Sequence, residues 1–177
     1  MGEIFEKEFR YGKNMARIGW EDYVESELPV SGLRQFGYIA GYKEAADELV
    51  DQYEYNEFFI YPIMFMYRQY LELLFKNLNA QLQDPVDFSG HLHDIRYIWD
   101  NMFPQVRKQL ELKKSHLNHI RDIVYVFARI DPKSSNFRYF WGYGNKPTLK
   151  GEMSIDLQKL KKDIDTVDLY LHNTYAV

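Results

Sequence analysis

The sequence predicts an all-α fold, a single helical bundle of four to five main helices with a long aromatic loop before the C-terminal helix. Three observations predict it. Residues 58–78, FFIYPIMFMYRQYLELLFKNL, are apolar on nearly every side, as a helix buried all round must be. The segments before and after it repeat apolar residues at threes and fours, the period of an amphipathic helix. No repeat, low-complexity tract or linker divides the chain, and 177 residues suit one core, so residues 1–177 read as a single domain.

Taken in order, residues 1–30 scatter Phe5, Phe9, Tyr11, Trp20 and Tyr23 among acids and reach Pro29, an N-terminal arm or short helix packed on the body. Ser31 is placed to cap a helix from about Gly32 to Tyr53. Its inward positions are Phe36, Ile39, Ala40, Tyr42, Ala46, Leu49 and Val50, with Lys43, Glu44, Asp47, Glu48 and Asp51 in water. Asn56 caps the central helix, which tolerates Pro62 in its first turn and runs on towards Gln83. Asp84-Pro85 opens a loop that lasts to Ser89-Gly90. HLHDIRYIWDNMF then makes a shorter helix with Leu92, Ile95, Ile98, Trp99 and Met102 inward, which Pro104 ends or kinks. Residues 107–114, RKQLELKK, read as an exposed basic segment. Ser115 caps the next helix, striped by Leu117, Ile120, Ile123, Val124, Phe127 and Ile130, which stops before Asp131-Pro132. Residues 131–151 are the one long non-helical stretch. Ser154 or Asp156 then starts a last helix with Leu157, Leu160, Ile164, Val167 and Leu171 on one face.

Composition excludes some chemistry. There is no cysteine, which removes disulfides, thiolate metal sites and thiol catalysis. The first ten residues are charged throughout, unlike a secretory signal. The 58–78 run has the length of a membrane span, but Arg68 and Glu72 near its middle argue for a buried core helix instead. The expectation is a cytoplasmic protein with no membrane contact and no cofactor. The net charge of −4 is uneven. Residues 1–57 carry 6 Lys/Arg against 13 Asp/Glu, and residues 58–177 carry 16 against 13, which leaves room for an anionic ligand on the later part.

Four groups of residues are candidates for chemistry. Arg68, Glu72 and Lys76, at a spacing of four, form one charged ridge on the central helix. Left unpaired in the core, such a ridge is costly, so Arg68 and Glu72 either position a substrate anion or form a structural pair bonded to loop backbone. His91 and His93 stand at a helix start beside Asp94 and Arg96, where imidazoles serve as acid, base or anion contacts, or His91 simply caps the helix. A metal at His91 and His93 needs further His or carboxylate ligands that the sequence does not place, the pair His116 and His119 lacks an HExxH-type motif, and no metal is expected. The loop NFRYFWGYG, residues 136–144, places Arg138 between aromatic rings. Such a group stacks on a base or holds a phosphate. The competing reading, slightly favoured, is a plug whose rings close the bundle while Arg138 reaches in to Glu72.

Three of these pieces occur together in a known order: YPIMFMYRQYLELLFKNL, then GHLHDIRYIWDNM, then SSNFRYFWGYG ahead of an IDLQKL helix. Over residues 56–175 the chain resembles bacterial HEPN-like helical proteins of phage-defence and toxin–antitoxin loci. That resemblance implies a four- or five-helix domain, commonly a homodimer, that binds RNA, a nucleotide or a partner protein from the same locus. It also implies a shared pocket of Arg68, Glu72, His91, Arg96, Phe137, Arg138 and Tyr139, with His93 at its rim. Catalytic members carry a His four to six residues after an Arg, and this chain has no such pair. The expected function is therefore non-catalytic binding. The alternative is a ribonuclease with a divergent site built from His91, His93, Arg96 and Arg138.

Overall fold

The computed structural model describes residues 30–151 and 153–171. Most of the N-terminal arm expected over residues 1–30 lies outside them. Among the described residues there are five α-helices and no strand: α1 (Val30–Asp51), α2 (Ile60–Ala80), α3 (Ile95–Leu110), α4 (Lys114–Ile130) and α5 (Leu157–Leu171). The all-α bundle is what the apolar periods dictate, and α2 is its centre. Ile63, Met64, Tyr67, Tyr70, Leu71, Leu74 and Phe75 are all buried, so α2 is covered on several sides at once. No described helix is long and apolar enough to cross a membrane.

Helices α1 and α2 form a hairpin closed by two single 3₁₀ turns, Tyr53–Tyr55 and Glu57–Phe59. The Asn56 side chain accepts from Phe58 N at 3.0 Å and so starts the path into α2. Pro62 falls in the first turn of α2, where its missing N–H costs no intrahelical bond. The buried Tyr67 hydroxyl donates to Asp47 at 2.6 Å, tying α2 to α1. On the outside, Lys43 bonds Asp47 and Asp165 while Lys161 bonds Asp51, so cations and carboxylates join α1 to α5.

Local details depart from expectation for physical reasons. α1 begins at Val30, which leaves Ser31 inside the helix rather than capping it. Phe36 is 43% exposed, because the inward face of α1 opens one turn later at Ile39. α3 is capped by Asp94, whose carboxylate accepts from Tyr97 N at 2.9 Å. Residues 88–94 make two successive turns before it, and these leave Leu92 exposed. Pro104 does not end α3. Met102 and Val106, on either side of it, are fully buried, and their burial carries the helix past the lost hydrogen bond. Residues 107–110 therefore belong to α3, and Glu111 ends it in the left-handed conformation, φ 51°. The reversal to α4 takes only residues 111–113, so Ser115 lies within the first turn of α4 instead of capping it. α5 starts as expected, with Asp156 accepting from Lys159 N at 2.8 Å.

Candidate functional site

The ridge on α2 faces the junction between the turn before α3 and the turn after α4. Arg68 has no exposed surface. Its Nε donates to the Asp131 carbonyl at 2.8 Å and its Nη1 to Glu72 Oε2 at 2.8 Å. Its Nη2 donates to the His93 carbonyl at 2.6 Å and, more weakly, to the Pro132 carbonyl at 3.4 Å. Each guanidinium nitrogen is thus engaged, which is how a protein keeps a buried cation. The other Glu72 oxygen accepts from Lys76 at 2.7 Å and lies 3.0 Å from His93 Nδ1. A carboxylate only accepts, so this ring nitrogen carries its proton towards Glu72. Burial by itself raises the Glu72 carboxyl, but the bonds from Lys76 and Arg68 outweigh it and hold the group below its ordinary value.

Asp131 completes the arrangement. It is fully buried, and its Oδ1 accepts from Ser135 N at 2.7 Å and Asn136 N at 3.0 Å. The Asn136 side chain donates to the Ile130 carbonyl at 2.6 Å. The chain leaving α4 is thereby folded into a tight turn, with Ser134 at φ 56°. Sequence reasoning read Asp131 only as a helix stop. The available signal was an Asp followed by Pro-Lys-Ser-Ser-Asn, the pattern of a side chain that bonds the backbone ahead of it.

Glu72 and Arg138 do not pair. The carboxylate is filled by Arg68, Lys76 and His93, which leaves no call for a second Arg. Arg138 instead donates from Nε to the Ser134 carbonyl and stacks its guanidinium over Phe65 and Tyr139, at 5.7 and 5.4 Å from the ring centroids. Nor are the rings a plug. Phe137 is half-buried against the core, but Tyr139, Phe140 and Trp141 are 58, 69 and 59% exposed, and Tyr143 is fully exposed.

The loop is nevertheless built. Gly142 N donates to the Lys146 carbonyl at 2.8 Å and Thr148 N to the Phe140 carbonyl at 3.0 Å, which pairs two short arms. Gly144 and Asn145 turn the tip with positive φ, a conformation that suits those two residue types. The Thr148 hydroxyl donates to the Tyr139 carbonyl at 2.6 Å, with the Asn136 carbonyl 3.1 Å away sharing the same proton, closing the base. Phe140 and Trp141 meet edge to face at 4.6 Å. Residues 131–151 carry four Lys/Arg and one Asp, so the projecting rings sit on a basic segment of an acidic chain.

The histidines are dispersed. His93 is at the Glu72 rim, while His91 stacks on Tyr97 at 3.8 Å. Arg96 bonds Asp100 at 3.4 Å and lies over the Tyr125 ring at 4.6 Å. His116 stacks on Tyr170 and His119 approaches the Asp163 carbonyl, so both pack α4 on α5. Among the described residues, no three His, Asp or Glu side chains are grouped as metal ligands would be. No family model, curated protein or solved structure matches the chain.

Proposed function

We propose that the chain is a HEPN-like helical module that binds single-stranded RNA through the loop of residues 137–148, in a prokaryotic defence or toxin–antitoxin system, without ribonuclease chemistry. The observation that carries this reading is the loop itself: Tyr139, Phe140, Trp141 and Tyr143 exposed together, with Arg138 and Lys146 among them. Folding normally hides such rings, and a cluster held outside on an ordered scaffold marks an interaction surface. Unpaired bases stack on rings of this kind, and nearby cations take the phosphates. The defence setting comes from the sequence resemblance, and so does the expectation of a homodimer.

The pocket of Arg68, Glu72, His91, His93, Arg96, Phe137, Arg138 and Tyr139 divides under this reading. Arg68 and Glu72 support, while Arg138 and Tyr139 touch ligand. The ribonuclease alternative gains nothing from the geometry, because His91, His93, Arg96 and Arg138 each have a different local partner. Anisotropy with a labelled RNA oligomer at low salt tests the reading. Binding should weaken as salt rises, and Trp141→Ala should weaken it by about 1–3 kcal/mol, the worth of one stacked base. No binding to the oligomer, or binding only to a mononucleotide or a partner protein, would reject it.

A further inference from the structure

One guanidinium touches two surface segments that are far apart in sequence. Arg68 holds the carbonyl of His93 in the turn before α3, and the carbonyls of Asp131 and Pro132 in the turn that launches the aromatic loop. A guanidinium is planar and its donors have fixed directions, so the place of one acceptor restricts the others. The exposed rings of the loop do little to anchor it, and its position depends on its base. That base is the Asp131 turn, the Asn136 bond to Ile130, the half-buried Phe137 and the Arg138–Phe65 contact on the outgoing side, with the half-buried Leu149 on the return. Asp131 is bound from both sides: its carbonyl and, at 3.8 Å, its carboxylate face Arg68 Nε, while the same carboxylate gathers the N–H groups of Ser135 and Asn136.

We propose that Arg68 is a positioning residue that sets how the 137–148 loop is presented and couples it to the His91–Asp94 turn. At the surface end of that link, the exposed His93 ring and Lys76 meet on one oxygen of Glu72. A change at the 91–94 turn therefore reaches the loop through Glu72 and Arg68. The functional part of this inference rests on the loop being the RNA-binding surface. The mechanical part does not.

Amide hydrogen exchange, read by segment in the full chain, tests it. Arg68→Lys keeps the charge but cannot serve Glu72 and three carbonyls in one plane. Exchange over residues 91–94 and 133–149 should speed up together by about tenfold or more, while the core amides of α2 and α4 stay protected. Affinity for the labelled RNA oligomer should fall several-fold although no surface ring or cation has changed. Glu72→Gln, close in shape, should shift the same two segments by less, and it decides the matter alone if Arg68→Lys does not fold. Unchanged loop exchange, or a uniform rise over all helices, overturns the proposal, since either leaves Arg68 as an ordinary core contact. Linked exchange in both segments without RNA binding by either protein keeps the coupling and removes the RNA reading.

Discussion

Arg68 and Glu72 are two of the few polar side chains buried with the apolar core, beside Asp131, and their stability depends on their donors and acceptors being met. Removing one partner strands the other. Glu72→Ala should therefore cost about 3–5 kcal/mol in denaturant unfolding, the range for a broken buried pair. The same group gives an acid dependence of known sign. Its folded carboxyl is held below the ordinary 4.5, so its contribution is complete above that value and is lost as pH falls through the lower folded value. Unfolding measured below pH 5 should show this loss in the wild type and a flatter profile in Glu72→Gln. Arg138 behaves differently. It is exposed, and among the described residues it meets a local carbonyl and two ring faces, so Arg138→Ala should cost less than about 1 kcal/mol in the same unfolding assay. Its effect belongs in the RNA titration.

At the scale of elements, α2 carries the core and the loop carries the proposed interaction. Leu71 has no exposed surface, and Leu71→Ala should cost about 2–5 kcal/mol, with a midpoint shift at unchanged slope in urea. The loop should be nearly independent of that energy. Replacing Phe140 and Trp141 together by Ser removes exposed rings, so the melting temperature should stay within about 3 °C while RNA binding is lost. A large fall in melting temperature would mean that the rings close the bundle after all. α3 shows why a local rule is not enough at this scale. Pro104 is a helix breaker by itself, but the apolar face from Ile95 to Val106 continues through it and its burial outweighs the lost bond.

At the scale of the whole molecule, the described bundle is acidic on the α1–α5 side, where Asp47, Asp51 and Asp165 meet Lys43 and Lys161, and basic along the loop. Under the proposed reading an anionic ligand should be steered to the loop, and the salt dependence of its association rate checks that steering. The homodimer implied by the resemblance is checked separately. Light scattering at micromolar concentration should return about twice the chain mass of 21.3 kDa, and a monomer mass would remove the dimer from the proposal.

Helix number, most of each buried stripe (Phe36 and Leu92, expected inward, are exposed) and the central place of α2 were legible in the sequence, because helical periodicity is a local property written in residues three and four apart. The demand for partners around Arg68 and Glu72 was legible for the same reason, since two charges on an apolar helix announce a cost. The partners themselves were not. Three of the groups that meet Arg68 are backbone carbonyls, which every residue carries, delivered from His93, Asp131 and Pro132 by the packing of distant turns. Arg138, an Arg among rings, looked like the obvious ion-pair partner, yet His93 and Lys76 occupy Glu72 and the rings of the loop face water. A side chain states what it needs, but only the tertiary structure decides which of many equivalent acceptors arrives within 3 Å.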